Sequence, residues 1–210
     1  MSIRPKSPST DYEFNVFINC PFDDEYKSLF HAIIFAVHDA GFRARCSKEI
    51  ADGTHDRLNN IMEIMLGCKY GIHDISRTEL DPDYSLPRFN MPLELGIFLG
   101  FEGFGNNHKV CLIMDKEEYR YQKFISDLGA RNVFAHDNNT QRVISHVRDW
   151  LVTESKRKNI SIPGGAKIYE RYCLFENQLP NMAKKASQEV ETLTFWDYVS
   201  FVVRWIEELH

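Results

Sequence analysis

Apolar and polar positions along this chain follow two rhythms, one of period two and one of period 3.6, and the two take turns. The segment from Phe14 to Asn19 is rich in strand formers and is stopped by Cys20-Pro21. Tyr26, Leu29, Phe30, Ile33, Ile34 and Val37 then recur at helical spacing. Asp23, Asp24 and Glu25 before them suit a helix N-terminus, and Gly41 after them suits a helix end. Phe42 to Cys46 reads as a short strand. Asp52-Gly53-Thr54 reads as a loop and cap, and Leu58, Ile61, Met62, Met65 and Leu66 as one face of a second helix.

Tyr70 to Ile75 is a third strand, followed by a polar loop over 76–89 with Pro82 and Pro87, long enough to suggest function. Asn90 to Pro92 opens a helix whose Leu93, Gly96, Ile97 and Gly100 form a small-residue face. Val110 to Met114 is a strongly apolar strand, Tyr119 to Leu128 reads as a helix, Asn132 to Ala135 as an edge strand, and Thr140 to Thr153 as a helix. Strands alternating with helices five times predict an α/β fold: a flavodoxin-like five-stranded parallel sheet of order 2-1-3-4-5. A C-terminal helical extension over 166–210 completes it, rich in aromatics from Tyr169 to Trp205, with Thr194 as a cap. This extension is too small for a core of its own and is expected to dock on the α/β domain or on a second copy of the chain, making a homo-oligomer.

Residues 1–12 read as a disordered leader, 13–155 as the α/β domain, and the stretch from Lys156 to Gly165 as a linker. No apolar run approaches the ~18 residues of a membrane span, and the start lacks the apolar stretch of a secretory signal. Five cysteines, odd in number and without a C-x-x-C pair, argue against a disulfide framework or structural zinc. A reducing cytoplasm is the expected compartment. The net charge of -5 speaks against duplex DNA or an anionic membrane as partner.

In an open parallel sheet, ligands bind beyond the carboxyl ends of the strands where the order reverses, here between the first and third strands. Three polar clusters are carried to that edge: Asn19 to Tyr26, His73 to Arg77, and Asn90 to Glu94. Glu94 and Asp74 are the candidate catalytic pair, because two carboxylates in one cleft can hold different protonation states and divide the work of glycosyl transfer. A carboxylate in the first turn of a helix also simply favours the dipole, worth about 0.3–1 kcal/mol. Phe22 and Tyr26 are candidates to stack on a base, although Tyr26 also fits the helix core face. Asn19, Asp23, Ser76 and Asn90 complete the expected lining, and Arg57, Arg77 and Arg88 are candidates to neutralise phosphates. His-Asp dipeptides occur at His38, His55, His73 and His136, but with no metal-ligand spacing, so no metal is expected. There is no G-x-G-x-x-G, P-loop or G-x-S-x-G motif.

The segments Asn19 to Asp24, Tyr70 to Ser76 and Asn90 to Gly96, in this order and spacing, resemble the TIR-like and nucleoside 2-deoxyribosyltransferase-like group over about residues 13–153. The resemblance implies a flavodoxin-like core and a Glu-Leu-Gly helix start whose glutamate meets the anomeric carbon of a sugar. Glu94 would be that glutamate. Asp74 would orient the sugar or departing base, and Asn19, Phe22 and Asp23 would line the first-strand side. The implied activity is hydrolysis of the N-glycosidic bond of NAD or a related nucleotide, with NAD as substrate and no cofactor. Deoxyribosyl transfer is a second reading, and a non-catalytic nucleotide-binding or assembly module a third. Related bacterial proteins serve in antiphage defence. The chain departs from deoxyribosyltransferases at Cys20-Pro21, in its long loop, and in its C-terminal helices.

Overall fold

The computed structural model describes residues 11–50, 56–80, 85–105, 107–155 and 161–209. The elements run β1 (Asn15–Asn19), α1 (Lys27–Asp39), β2 (Arg43–Cys46), α2 (Arg57–Leu66), β3 (Tyr70–Asp74), α3 (Asn90–Phe104), β4 (Val110–Asp115), β5 (Val133–Ala135), α4 (Thr140–Ser155), α5 (Gly165–Lys185) and α6 (Phe195–Glu207). The five strands form one sheet in the order β2-β1-β3-β4-β5. This is the expected flavodoxin-like order. The β1–β3, β3–β4 and β4–β5 pairs are parallel, with Asn19 opposite His73 and His73 opposite Ile113.

The chain divides into two compact units. One holds residues up to Lys27 and Arg45–Asn138; the other holds Ser28–Ala44 and everything from Asn139 onward. Residues 1–10 of the expected 1–12 leader, the Asp52–Thr54 cap and much of the linker lie outside the described residues. Tyr12, expected to belong to that leader, is instead buried, and its hydroxyl donates to the His108 carbonyl at 2.9 Å. The described N-cap of α2 is Asp56, in a left-handed conformation, whose carboxylate accepts the Asn59 N–H.

In the first unit, Phe17 of β1 and Phe98 of α3 pack with Ile61, Met65 and Cys68 on one side of the sheet. Ile75, Leu95, Ile113, Tyr121 and Leu128 form a second cluster. Lys109 is buried, and its ammonium donates to the carbonyl of Met65 at 2.8 Å and to that of Cys68, closing the C-terminal end of α2. The segment read as a helix over Tyr119 to Leu128 is two short 3-10 turns, Arg120–Lys123 and Ser126–Ala130. Tyr119 sits in left-handed backbone at φ 57. That residue breaks the start, and although Tyr121, Phe124, Ile125 and Leu128 keep helical spacing, the non-helical backbone of Phe124 (φ -134) and Ile125 (φ -137, ψ 70) splits the segment into two short turns.

In the second unit, α1 ends in a Schellman turn. Gly41, at φ 79, donates to His38, and Phe42 donates to Val37. The aromatics of the C-terminal helices turn towards α1. The Phe35 ring lies 5.5 Å from Phe175, 5.7 Å from Tyr172 and 5.8 Å from Trp205. The Tyr172 hydroxyl donates to the Ser28 carbonyl, and Arg171 pairs with the buried carboxylate of Asp39 at 2.9 Å. Thr194 caps α6 through a capping box with Asp197, as expected. Among the described residues no helix is long and apolar enough to cross a membrane.

Candidate functional site

β1 and β3 end side by side at the reversal point, and α3 begins above them. A cleft of about 560 Å³ opens there. It is lined by Asn19 at the end of β1 and Cys20 to Asp23 after it, by Ser47, by Arg57, Leu58 and Ile61 of α2, by Arg88, and by the start of α3 with Asn90, Met91, Leu93 and Glu94. Three separated segments thus meet where the strand-order rule places a ligand.

Glu94 is the fifth residue of α3, not a member of its first turn as the sequence suggests. Its carboxylate therefore gains less from the helix dipole, which fades after the first turn. It makes no hydrogen bond or ion pair among the described residues, and it lines the open cleft. Burial pushes its carboxyl up to about 7, with the Arg57 charge pulling the other way.

Asp74 does not line this cleft. It is fully buried at the end of β3, and its oxygens are taken. Oδ2 accepts from the Tyr26 hydroxyl at 2.6 Å, and Oδ1 from the Ser76 N–H at 2.8 Å. His136 Nε2 lies 2.9 Å from Oδ2. Because His136 Nδ1 accepts the Asn138 N–H, the ring proton falls to Nε2, which is close to the carboxylate without hydrogen-bond alignment. Burial alone would raise the Asp74 carboxyl; His136, Ser76 and Tyr26 together outweigh it and hold the group below its ordinary value. Asp74 is thus a structural carboxylate, and the expected pair of exposed acids is not assembled. Tyr26 and Ser76 go with it: both are buried as Asp74 partners, and neither lines the cleft. Burial and the neighbouring Asp74 push the Tyr26 phenol well above its ordinary value, so it remains a donor.

Asn19, Phe22, Asp23, Arg88 and Asn90 do line the cleft. Phe22 is 38% exposed at the mouth, with the Lys48 ammonium 5.0 Å over its ring. The run Asp23 to Glu25 precedes α1 instead of forming its first turn. Asp23 accepts the Tyr26 N–H and two bonds from Arg77, which also reaches Glu25 at 2.5 Å. Arg77 faces a neighbouring depression and not the cleft. Cys20 forms part of the cleft wall, and burial, then Asp74, push its thiol well above the ordinary value, so it is no thiolate nucleophile. Among the described residues no group of His, Cys, Asp and Glu could hold a metal ion.

Sequence reasoning missed His136 as the partner of Asp74. Its one signal was the His136-Asp137 dipeptide, weighed only as a metal motif. Ser47, Leu58 and Ile61 were also missed; Ser47 stands in the turn that follows β2, and the other two reach the cleft because α2 packs beside α3.

No protein-family model, curated protein or solved structure matches the chain.

Proposed function

We propose that this chain hydrolyses the N-glycosidic bond of NAD or a related nucleotide, as a member of the TIR-like and deoxyribosyltransferase-like group, with Glu94 as the reacting carboxylate. The observation that carries the reading is Glu94 itself. It is a partly buried carboxylate without a bonding partner among the described residues, at the reversal point of the sheet, in a cleft that also holds Arg57 and Arg88. The arginines suit the phosphates of a nucleotide, and Phe22 offers a face for a base.

The choice of leaving group follows from how the described carboxylates are engaged. Among the described residues, the cleft's other lining carboxylate, Asp23, is engaged by Arg77 and by the Tyr26 N–H, and Asp74 is sealed below. A neutral nucleobase needs a proton as it departs, which calls for a second acid. Nicotinamide is already cationic in NAD, and it departs neutral by taking the electron pair of the C–N bond. Glu94 in its ionised form then stabilises the sugar cation, or bonds to its anomeric carbon until water completes hydrolysis.

Incubation with NAD, followed by chromatography for nicotinamide and ADP-ribose, tests the proposal. Glu94→Gln is expected to lower turnover by about a hundredfold or more. Turnover unchanged in that variant removes Glu94 from the reaction. A new nucleoside formed when a free base is added assigns deoxyribosyl transfer instead, and tight nucleotide binding without product assigns a binding module.

A further inference from the structure

The start of α3 has no side-chain cap. Phe89 stands at the N-cap with φ -92 and ψ -4 and offers no acceptor to the first turn. A tie comes instead from the neighbouring strand. The side-chain amide of Asn19, 3% exposed at the end of β1, donates to the Met91 carbonyl at 2.9 Å and meets His73 Nδ1 at 3.1 Å. The Met91 carbonyl can only accept, so the amide must present its NH2 to it, and the same nitrogen then faces Nδ1; the opposite flip would set oxygen against the carbonyl. Burial pushes the His73 imidazole down to about 3, so the ring stays neutral. Facing the Asn19 NH2, Nδ1 takes the acceptor role, which puts the ring proton on Nε2. Met91 and Glu94 are three residues apart and share a face of the helix.

We infer that Asn19 is a positioning residue rather than a ligand donor: it fixes where α3 begins over the sheet, and so where the Glu94 carboxylate stands, with His73 holding the amide in its working orientation. This rests on the reading of Glu94 as the reacting carboxylate. Both amide hydrogens are spent on the protein, so the donor side of Asn19 has nothing left for a substrate. The strand register makes the arrangement possible, because Asn19 and His73 are opposed residues of β1 and β3.

The test compares Asn19→Leu, His73→Leu and His73→Asn with the native chain in two assays. One is NAD turnover. The other is the titration midpoint of the Glu94 side chain by carbon-detected NMR. Asn19→Leu and His73→Leu are expected to lower kcat by about a hundredfold, the scale of a small misplacement, with KM within about threefold of native. They are also expected to move the Glu94 midpoint from about 7 towards its ordinary value of 4.5. His73→Asn, which returns an acceptor near the Nδ1 position, restores both. A variant that only melts earlier while its Glu94 midpoint stays at about 7 overturns the inference, as does identical behaviour of His73→Leu and His73→Asn. Where the native chain turns over no NAD, the hydrolase reading fails by itself, and the midpoint still decides whether Asn19 positions Glu94. Where Asn19→Leu does not fold, the two His73 variants decide.

Discussion

The Tyr26 hydroxyl donates a 2.6 Å hydrogen bond to Asp74 Oδ2, and neither group reaches the cleft beside them. This bond converts a strand-end carboxylate that looks catalytic into a buried anchor. Asp74→Ala leaves the Tyr26 hydroxyl and the Ser76 N–H without their acceptor, removes the carboxylate beside His136, and is expected to cost about 3 kcal/mol or more, whereas Tyr26→Phe costs about 1–2 kcal/mol. Urea unfolding at neutral pH measures both. Because the folded carboxyl titrates below the unfolded one, its contribution is present above 3.8 and is lost as pH falls through the lower, folded value.

Glu94 has the opposite sign. Its carboxyl is raised from 4.5 to about 7, so between those values the native state keeps a proton that the unfolded chain has released. Stability associated with it is complete below 4.5 and is lost as pH rises through about 7. Glu94→Gln is therefore expected to melt a few degrees above the native chain at pH 8 and level with it near pH 4, read by calorimetry across that range. The same titration sets the rate: if the ionised form reacts, NAD turnover rises with pH through about 7.

Arg171 faces the Asp39 carboxylate, which is fully buried in its side chain. Arg171→Met removes the guanidinium from a buried carboxylate and is expected to cost up to about 3–5 kcal/mol. Adding Asp39→Asn to Arg171→Met recovers a large part of the loss. Chemical denaturation of the single and double variants measures the coupling.

A methyl group at Gly71 would lie 2.7 Å from both His73 Nε2 and Phe98 Cζ. Gly71→Ala is expected to destabilise by about 1–3 kcal/mol, since buried rings on both sides must shift. A melting temperature equal to that of the native chain would show that the strand has slack at this point.

The architecture was legible because its signals are local. Pro21 stops a strand, Gly41 ends a helix at positive φ, and Thr194 pairs with Asp197 three residues on. The segment after Tyr119 was not, because its turn begins with backbone at positive φ that tyrosine does not announce. Half of the site could be read in the same way: Asn19, Phe22, Asp23, Arg88, Asn90 and Glu94 belong to loops and helix starts that the topology gathers. Asp74, Tyr26 and Ser76 could not be placed, because which carboxylate meets solvent depends on contacts far apart in sequence. Tyr26 and Asp74 are separated by 48 residues, and nothing in either segment declares the bond.

The opposition of Asn19 and His73 across β1 and β3 also sets a rule for length. Side chains along a strand alternate between faces, so one inserted residue in β3 would exchange the roles of its last two members. The imidazole would be driven into the slot of Tyr26 and His136, and a carboxylate would confront the Asn19 amide. Indels are thus barred from a stretch that still accepts conservative replacements, and grafts into this molecule must be joined elsewhere.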